Sequence, residues 1–259
     1  MSQAASTATA IRRSSRFVAW TRSWRAGLVP YDELPSEIEM GEEHVVADAP
    51  GTWMDVPLRE ALAVLAKLHP DEIRLVLPAP GDPIGLPGPG EFTGAALLAG
   101  EGVVASRLGF VPEVREYTSG SGDTFATVVW RTFTLPTAPP APMGGGAGEA
   151  EADLNAAILD AATALTRLDV AQWRPELAGA IAALRRPDGG TELPPGYDPR
   201  ARRLFAKASA VDRMLSLADE SAPGGAVNSF EAQARDDVLR PLATACRRAL
   251  VAACNAPLI

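Results

Sequence analysis

A chain of 259 residues with 47% apolar and 22% charged side chains is long enough to bury a core without metal or disulfide staples. Its formal charge of −8 sets it against a polyphosphate, because nonspecific nucleic-acid affinity rests on Lys and Arg neutralising phosphates. The two histidines, His44 and His69, and the two cysteines, Cys246 and Cys254, have no zinc-ligand spacing, and the cysteines are too far apart along one predicted helix for a disulfide.

Residues 1–10 are rich in Ser, Thr and Ala, and the arginines after them interrupt any apolar run, so no signal peptide is expected. Nowhere does a run of about 18 apolar residues suggest a transmembrane helix, and the expected location is cytoplasmic. Residues 1–30 read as a basic aromatic arm. Within it, residues 11–28 carry Phe17, Trp20 and Trp24 on one side of a short helix with arginines around them. Such a helix can lie on an anionic surface, dock on a partner or close over its own domain. The acidic stretch from Asp32 to Asp48, free of Lys and Arg, follows directly and would neutralise much of the arm, so peripheral membrane contact by residues 11–28 carries little weight.

Asp55 can cap an amphipathic helix of about three turns with Leu58, Leu62, Leu65 and Leu68 on one face, ended by His69 and Pro70. The run Ile73-Arg74-Leu75-Val76-Leu77 then reads as a buried strand. A Pro/Gly-rich loop over residues 78–90 leads from it into a helix over about residues 91–101. Strand, loop and helix in this order make the best candidate small-ligand site, with Arg74, Asp82, Glu91 and Arg107 as the nearest polar side chains. Against it, Pro78, Pro80, Pro83, Pro87 and Pro89 remove backbone N–H donors, and neither a dinucleotide nor a P-loop spacing is present.

A second strand is expected at Val103-Val104-Ala105, then a hairpin with arms over residues 113–118 and 124–135 around Ser119-Gly-Ser-Gly-Asp123. Phe125, Val129 and Phe133 recur at even spacing on the long arm, with Trp130 on the other face. Beyond a Pro/Gly-rich linker at residues 136–150, no strand is expected. Three helices and a further one over residues 175–186 carry apolar residues in steps of four and three: Leu154, Ile158, Ala161 and Leu165; Leu204, Ala208, Val211 and Leu215; Leu239, Leu242, Cys246 and Leu250. Caps are read at Asp153, Pro199 and Asn228, and a kink at Pro241.

The expected fold class is therefore α+β: a small domain over residues 31–135 with a short mixed or antiparallel sheet, then an all-α bundle of about four helices over residues 151–259. No carboxylate pair, Ser/His/Asp set or metal motif stands out, so no catalytic residue, metal or cofactor is assigned. The arginines and Lys207 on the third bundle helix form the strongest basic strip, interleaved with acids. The functional expectation is a noncatalytic protein-interaction or regulatory protein, with Trp20, Trp24, Arg203 and Lys207 as partner-binding candidates. Protein partners or self-association are favoured over nucleic acid, and the alternative is a small-ligand binder or enzyme using residues 78–90.

Overall fold

The computed structural model describes residues 12–49, 51, 54–118, 124–136, 146–167, 192–220 and 229–259. It is a mixed α+β structure whose six strands all precede the long helices of the second half. The strands are β1 (Glu43–Ala47), β2 (Val56–Pro57), β3 (Ile73–Val76), β4 (Gly102–Ala105), β5 (Leu108–Thr118) and β6 (Thr124–Thr134), in the sheet order β2-β1-β6-β5-β4-β3. Strand β1 runs parallel to β6, and every other neighbouring pair is antiparallel. The short mixed sheet expected from the sequence is thus a larger mixed one.

Helix α1 (Arg13–Arg25) covers one face of this sheet. Phe17 packs its ring 4.8 Å from Trp130 and 5.6 Å from Phe110, which places Trp130 and Phe110 on the α1 face. Of the readings open to the basic aromatic arm, the helix takes the one that closes over its own domain. Arg16 and Arg22 are buried together with Ser14, Ser15, Phe17, Val18, Ala19, Thr21 and Ser23, while Trp20 and Trp24 are half-buried. Small residues let the helix approach the strands closely, and its cations find acceptors. Arg22 Nε donates to Pro70 O (3.1 Å) and Nη2 to Asp71 Oδ1 (2.9 Å), and Arg25 Nε donates to Leu68 O (3.0 Å). These bonds meet the requirement that buried charge be paired.

The opposite face is covered by α4 (Glu91–Ala99), reached after the short helices α2 (Leu34–Glu39) and α3 (Leu58–Leu62). Phe92 and Ala96 pack with Val76, Val104, Val111, Phe133 and Leu135. Gly109 makes this approach available, because a Cβ there would overlap the Phe92 ring. The helix predicted from Asp55 is shorter than expected. Pro57 precedes α3 in extended conformation, and the chain tightens into a 3₁₀ turn over Ala63–Lys67, yet Leu58, Leu62 and Leu65 are all buried as the pattern required. His69 and Glu72 close a reciprocal cap on the next turn: Asp71 N donates to His69 Nδ1 (3.3 Å), and His69 N donates to Glu72 Oε2 (2.8 Å).

The chain divides into two compact units. The sheet unit holds the described residues of Arg12–Met143 and also Leu193–Asp198 and Pro257–Ile259. Ser23 Oγ donates to Pro195 O, the Arg22 guanidinium lies over the Tyr197 ring at 5.8 Å, and Tyr197 bridges Leu258. The helical unit contains α5 (Ala147–Arg167), α6 (Pro199–Glu220) and α7 (Ser229–Cys254). Helix α5 begins ahead of Asp153, which lies inside it instead of capping it, and α7 continues through Pro241. Leu154, Leu204, Ala208, Val211, Cys246 and Leu250 are buried, so the predicted seams face a core. The fourth helix expected over residues 175–186 lies outside the described residues, as do most of the linker and the hairpin turn.

Candidate functional site

Three places bring chemistry-bearing side chains together, and the first is internal. Arg13 grips Glu42 with both forks, Nε to Oε2 at 3.0 Å and Nη2 to Oε1 at 2.5 Å, while Arg16 Nη2 lies 3.5 Å from Oε2. His44 is buried on β1. The Trp130 indole donates to His44 Nδ1 at 3.2 Å, and it can do so only if that nitrogen is unprotonated. The ring hydrogen therefore sits on Nε2 and points at Glu42 Oε2, 3.3 Å away. Burial works against the charged Glu42 carboxyl, but the hydrogen bonds from His44 and Arg13 outweigh it and hold it at about 2. Both imidazole nitrogens are hydrogen-bonded, and the cluster joins α1 to the sheet.

The second place is the Pro/Gly-rich loop. Residues 87–90, the first turn of α4 and residues 133–136 enclose a pocket of about 240 Å³. Glu91 lines it, as does Thr93, whose hydroxyl donates to Gly88 O. Of the predicted ligand residues, only Glu91 contributes to this lining. Asp82 closes a small turn with Ala79 through backbone bonds of 2.9 and 3.2 Å. Arg74 projects from β3 half-buried, and burial lowers its pKa. Arg107, in the β4–β5 turn, donates to Pro136 O at 3.3 Å beside the pocket without lining it. Among the described residues no group of three His, Cys, Asp or Glu side chains is placed to hold a metal ion.

The third place is the outer half of the β5–β6 hairpin, which the sequence reading identified as a hairpin but not as a site. Strand β4 pairs with β5 only at Leu108, Gly109 and Phe110, whereas β5 and β6 stay paired out to Thr118 and Thr124. From Val111 outward, no strand among the described residues pairs with the free edge of β5. Opposite each other near the tip, Tyr117 and Phe125 stack with centroids 5.4 Å apart and planes at 19°. They are 43% and 51% exposed, and Val114 on the other face is 39% exposed. Arg115 donates to both Glu113 oxygens at 3.3 Å along the same face. The signal for this overhang was in the sequence: the strand now seen as β4 read as three residues beside a much longer arm.

The partner-binding candidates divide between the two units. Trp24 lies 5.1 Å from the Tyr31 ring with the Arg25 guanidinium over it at 4.9 Å, so its faces are occupied within the sheet unit. In the helical unit Arg203 is exposed, and Lys207 Nζ donates to Asn155 Oδ1 at 2.9 Å. No helix among the described residues is long and apolar enough to cross a membrane.

Residues 14–143 match the family description "Rv1486c-like protein, N-terminal domain", and residues 148–251 match "Rv1486c-like protein, C-terminal domain". The chain is also similar to the uncharacterized protein ML1804 of Mycobacterium leprae (strain TN), 26% identical over 281 aligned positions that cover 92% of this chain and 94% of the relative. No solved structure matches the chain.

Proposed function

The chain belongs to the Rv1486c-like protein family, and from there we propose that it is a noncatalytic protein-interaction or regulatory protein that docks through the outer half of its β5–β6 hairpin. The observation that carries this reading is the free β5 edge beyond Phe110 beside the exposed Tyr117–Phe125 stack. An unpaired strand edge offers a row of backbone donors and acceptors to another strand, and exposed aromatics supply the area that anchors such contacts. Support also comes from the Glu42–His44–Trp130 cluster, whose polar atoms bond to one another and not toward a cleft. The setting we propose is cytoplasmic, where the Cys246 and Cys254 thiols stay reduced. A photo-crosslinking residue at Glu116 in the intact protein should yield a protein adduct in cells, whereas one at the exposed Leu98 of α4 should not. Equal labelling at both positions, or none at Glu116, overturns the reading.

The pocket beside residues 87–90 favours a second reading, a small-ligand binder that uses the first turn of α4. A thermal-shift screen of small polar and apolar fragments should then give hits that Thr93→Val abolishes; hits insensitive to that change would remove the loop from consideration.

A further inference from the structure

The free edge of β5 is complementary to itself, and we propose that its occupant is a second copy of this chain, paired strand to strand about a two-fold axis at Val114. This rests on the hairpin being the docking element. A two-fold axis that relates two antiparallel strands in one sheet stands normal to that sheet, so each residue meets a residue pointing to the same face. On β5 the α4 face carries Val111, Glu113, Arg115 and Tyr117, and the α1 face carries Pro112, Val114 and Glu116, an alternation anchored by Val111 in the α4 core and Phe110 against Phe17.

The charges then select the register. Centring the axis on Glu113 or Glu116 sets a carboxylate against its own copy, and centring it on Arg115 does the same with guanidinium groups. With Val114 on the axis, Glu113 faces the partner subunit's Arg115, and Arg115 faces the partner subunit's Glu113. Opposite charges directly across a strand pair attract and like charges repel. Val114, 39% exposed, meets the partner subunit's Val114 on the other face. The paired stretch around Val114 lies beyond the last β4 pairing at Phe110, so β4 does not obstruct it, while Pro112 at its inner end is buried and has no N–H to donate. Glu113 and Arg115 already lie side by side within one strand at 3.3 Å, and pairing turns them into one end of a four-charge ladder.

The test uses the full chain in analytical ultracentrifugation. At about 0.1 mM, well above the dissociation constant a modest specific interface supports, the wild type should sediment as a dimer. Glu113→Arg and Arg115→Glu should each weaken dimerisation about tenfold or more. The double exchange Glu113→Arg with Arg115→Glu should restore it, and a mixture of the two single variants should form a heterodimer. Glu113 is exposed and Arg115 is half-exposed, so unchanged melting curves identify variants that fold normally. A wild type that is monomeric at this concentration overturns the proposal, as does a dimer indifferent to the single exchanges or a double exchange that fails to restore it. The crosslink at Glu116 separates the two levels of inference. An adduct to a different protein with a monomeric wild type removes self-pairing and leaves the interaction reading standing, whereas no adduct and no dimer remove both.

Discussion

The two halves of the β5–β6 hairpin share one ladder but obey different physics. In the inner half, Val128, Val129 and Trp130 are fully buried, α1 and α4 cover the two faces, and the Trp130 indole bonds to His44, which is joined through Glu42 to Arg13. A few residues further out, the same strands carry half-exposed aromatics, alternating charges and a free edge. The difference comes from the neighbours: β4 and β1 are short and stop where the covered half stops. Strand pairing alone therefore fixes position, whereas the covering elements decide whether a side chain stabilises the fold or is offered to another surface.

The sharpest way to break that comparison is to truncate an aromatic at each end. Trp130→Ala should cost about 3–5 kcal/mol, because it empties a fully buried site and leaves His44 Nδ1 without its donor. Tyr117→Ala at the exposed end should cost about 1 kcal/mol or less, the scale of a surface aromatic pair. Urea unfolding reads both, and equal losses would dissolve the distinction.

Next in size is Arg22→Met, expected to cost about 2–3 kcal/mol by leaving Pro70 O and Asp71 without their donor. Gly109→Ala should cost about 1–3 kcal/mol, because the new methyl group must displace the Phe92 ring. Thermal melts of the two variants check both.

A further expected effect concerns acid. The Glu42 carboxyl is held at about 2 against an ordinary value of 4.5, so its folded form binds the proton less readily than the unfolded one. Its contribution is therefore present above about pH 4.5 and is lost as pH falls toward 2. With about a third of the side chain exposed, screening reduces this to about 1–2 kcal/mol. Glu42→Gln should flatten that part of the stability curve; an unchanged acid limb in urea titrations at pH 2–5 would show that the Arg13 pair contributes nothing there.

Much of this architecture was legible in the residues. The leucine steps of α3, the buried run of β3, the long arm of the hairpin and the seams of α5, α6 and α7 all announced themselves by period. What escaped was built from contacts distant in sequence. Strand β1 has only Val45, Val46 and Ala47 as apolar residues, flanked by Glu42, Glu43 and Asp48, and its parallel partner β6 lies some eighty residues away. Helix α1 hid its burial because serines, a threonine and arginines occupy the inward positions. A search for large apolar residues gives these no weight, although carbonyls and a carboxylate elsewhere in the chain accept from Arg22 and Ser23. The ligand candidates around residues 78–90 were grouped by closeness along the chain, and in the fold only Glu91 lines the pocket, with Arg107 bonded to Pro136 at its side and Arg74 and Asp82 not among its lining.

Leu193–Asp198 and Pro257–Ile259 bear on how this protein can be cut. Each belongs to the sheet unit although it follows part of the helical unit in the chain, so the sheet unit is a host and the helices are carried as two insertions. Scissors applied at the Pro/Gly-rich segment would release an N-terminal fragment missing two of its own pieces. Arg22 would lose the Tyr197 ring and Ser23 the Pro195 carbonyl. A self-sufficient minimal version has to splice those pieces back on, and a tag fused after Ile259 begins at a residue already woven into the other unit.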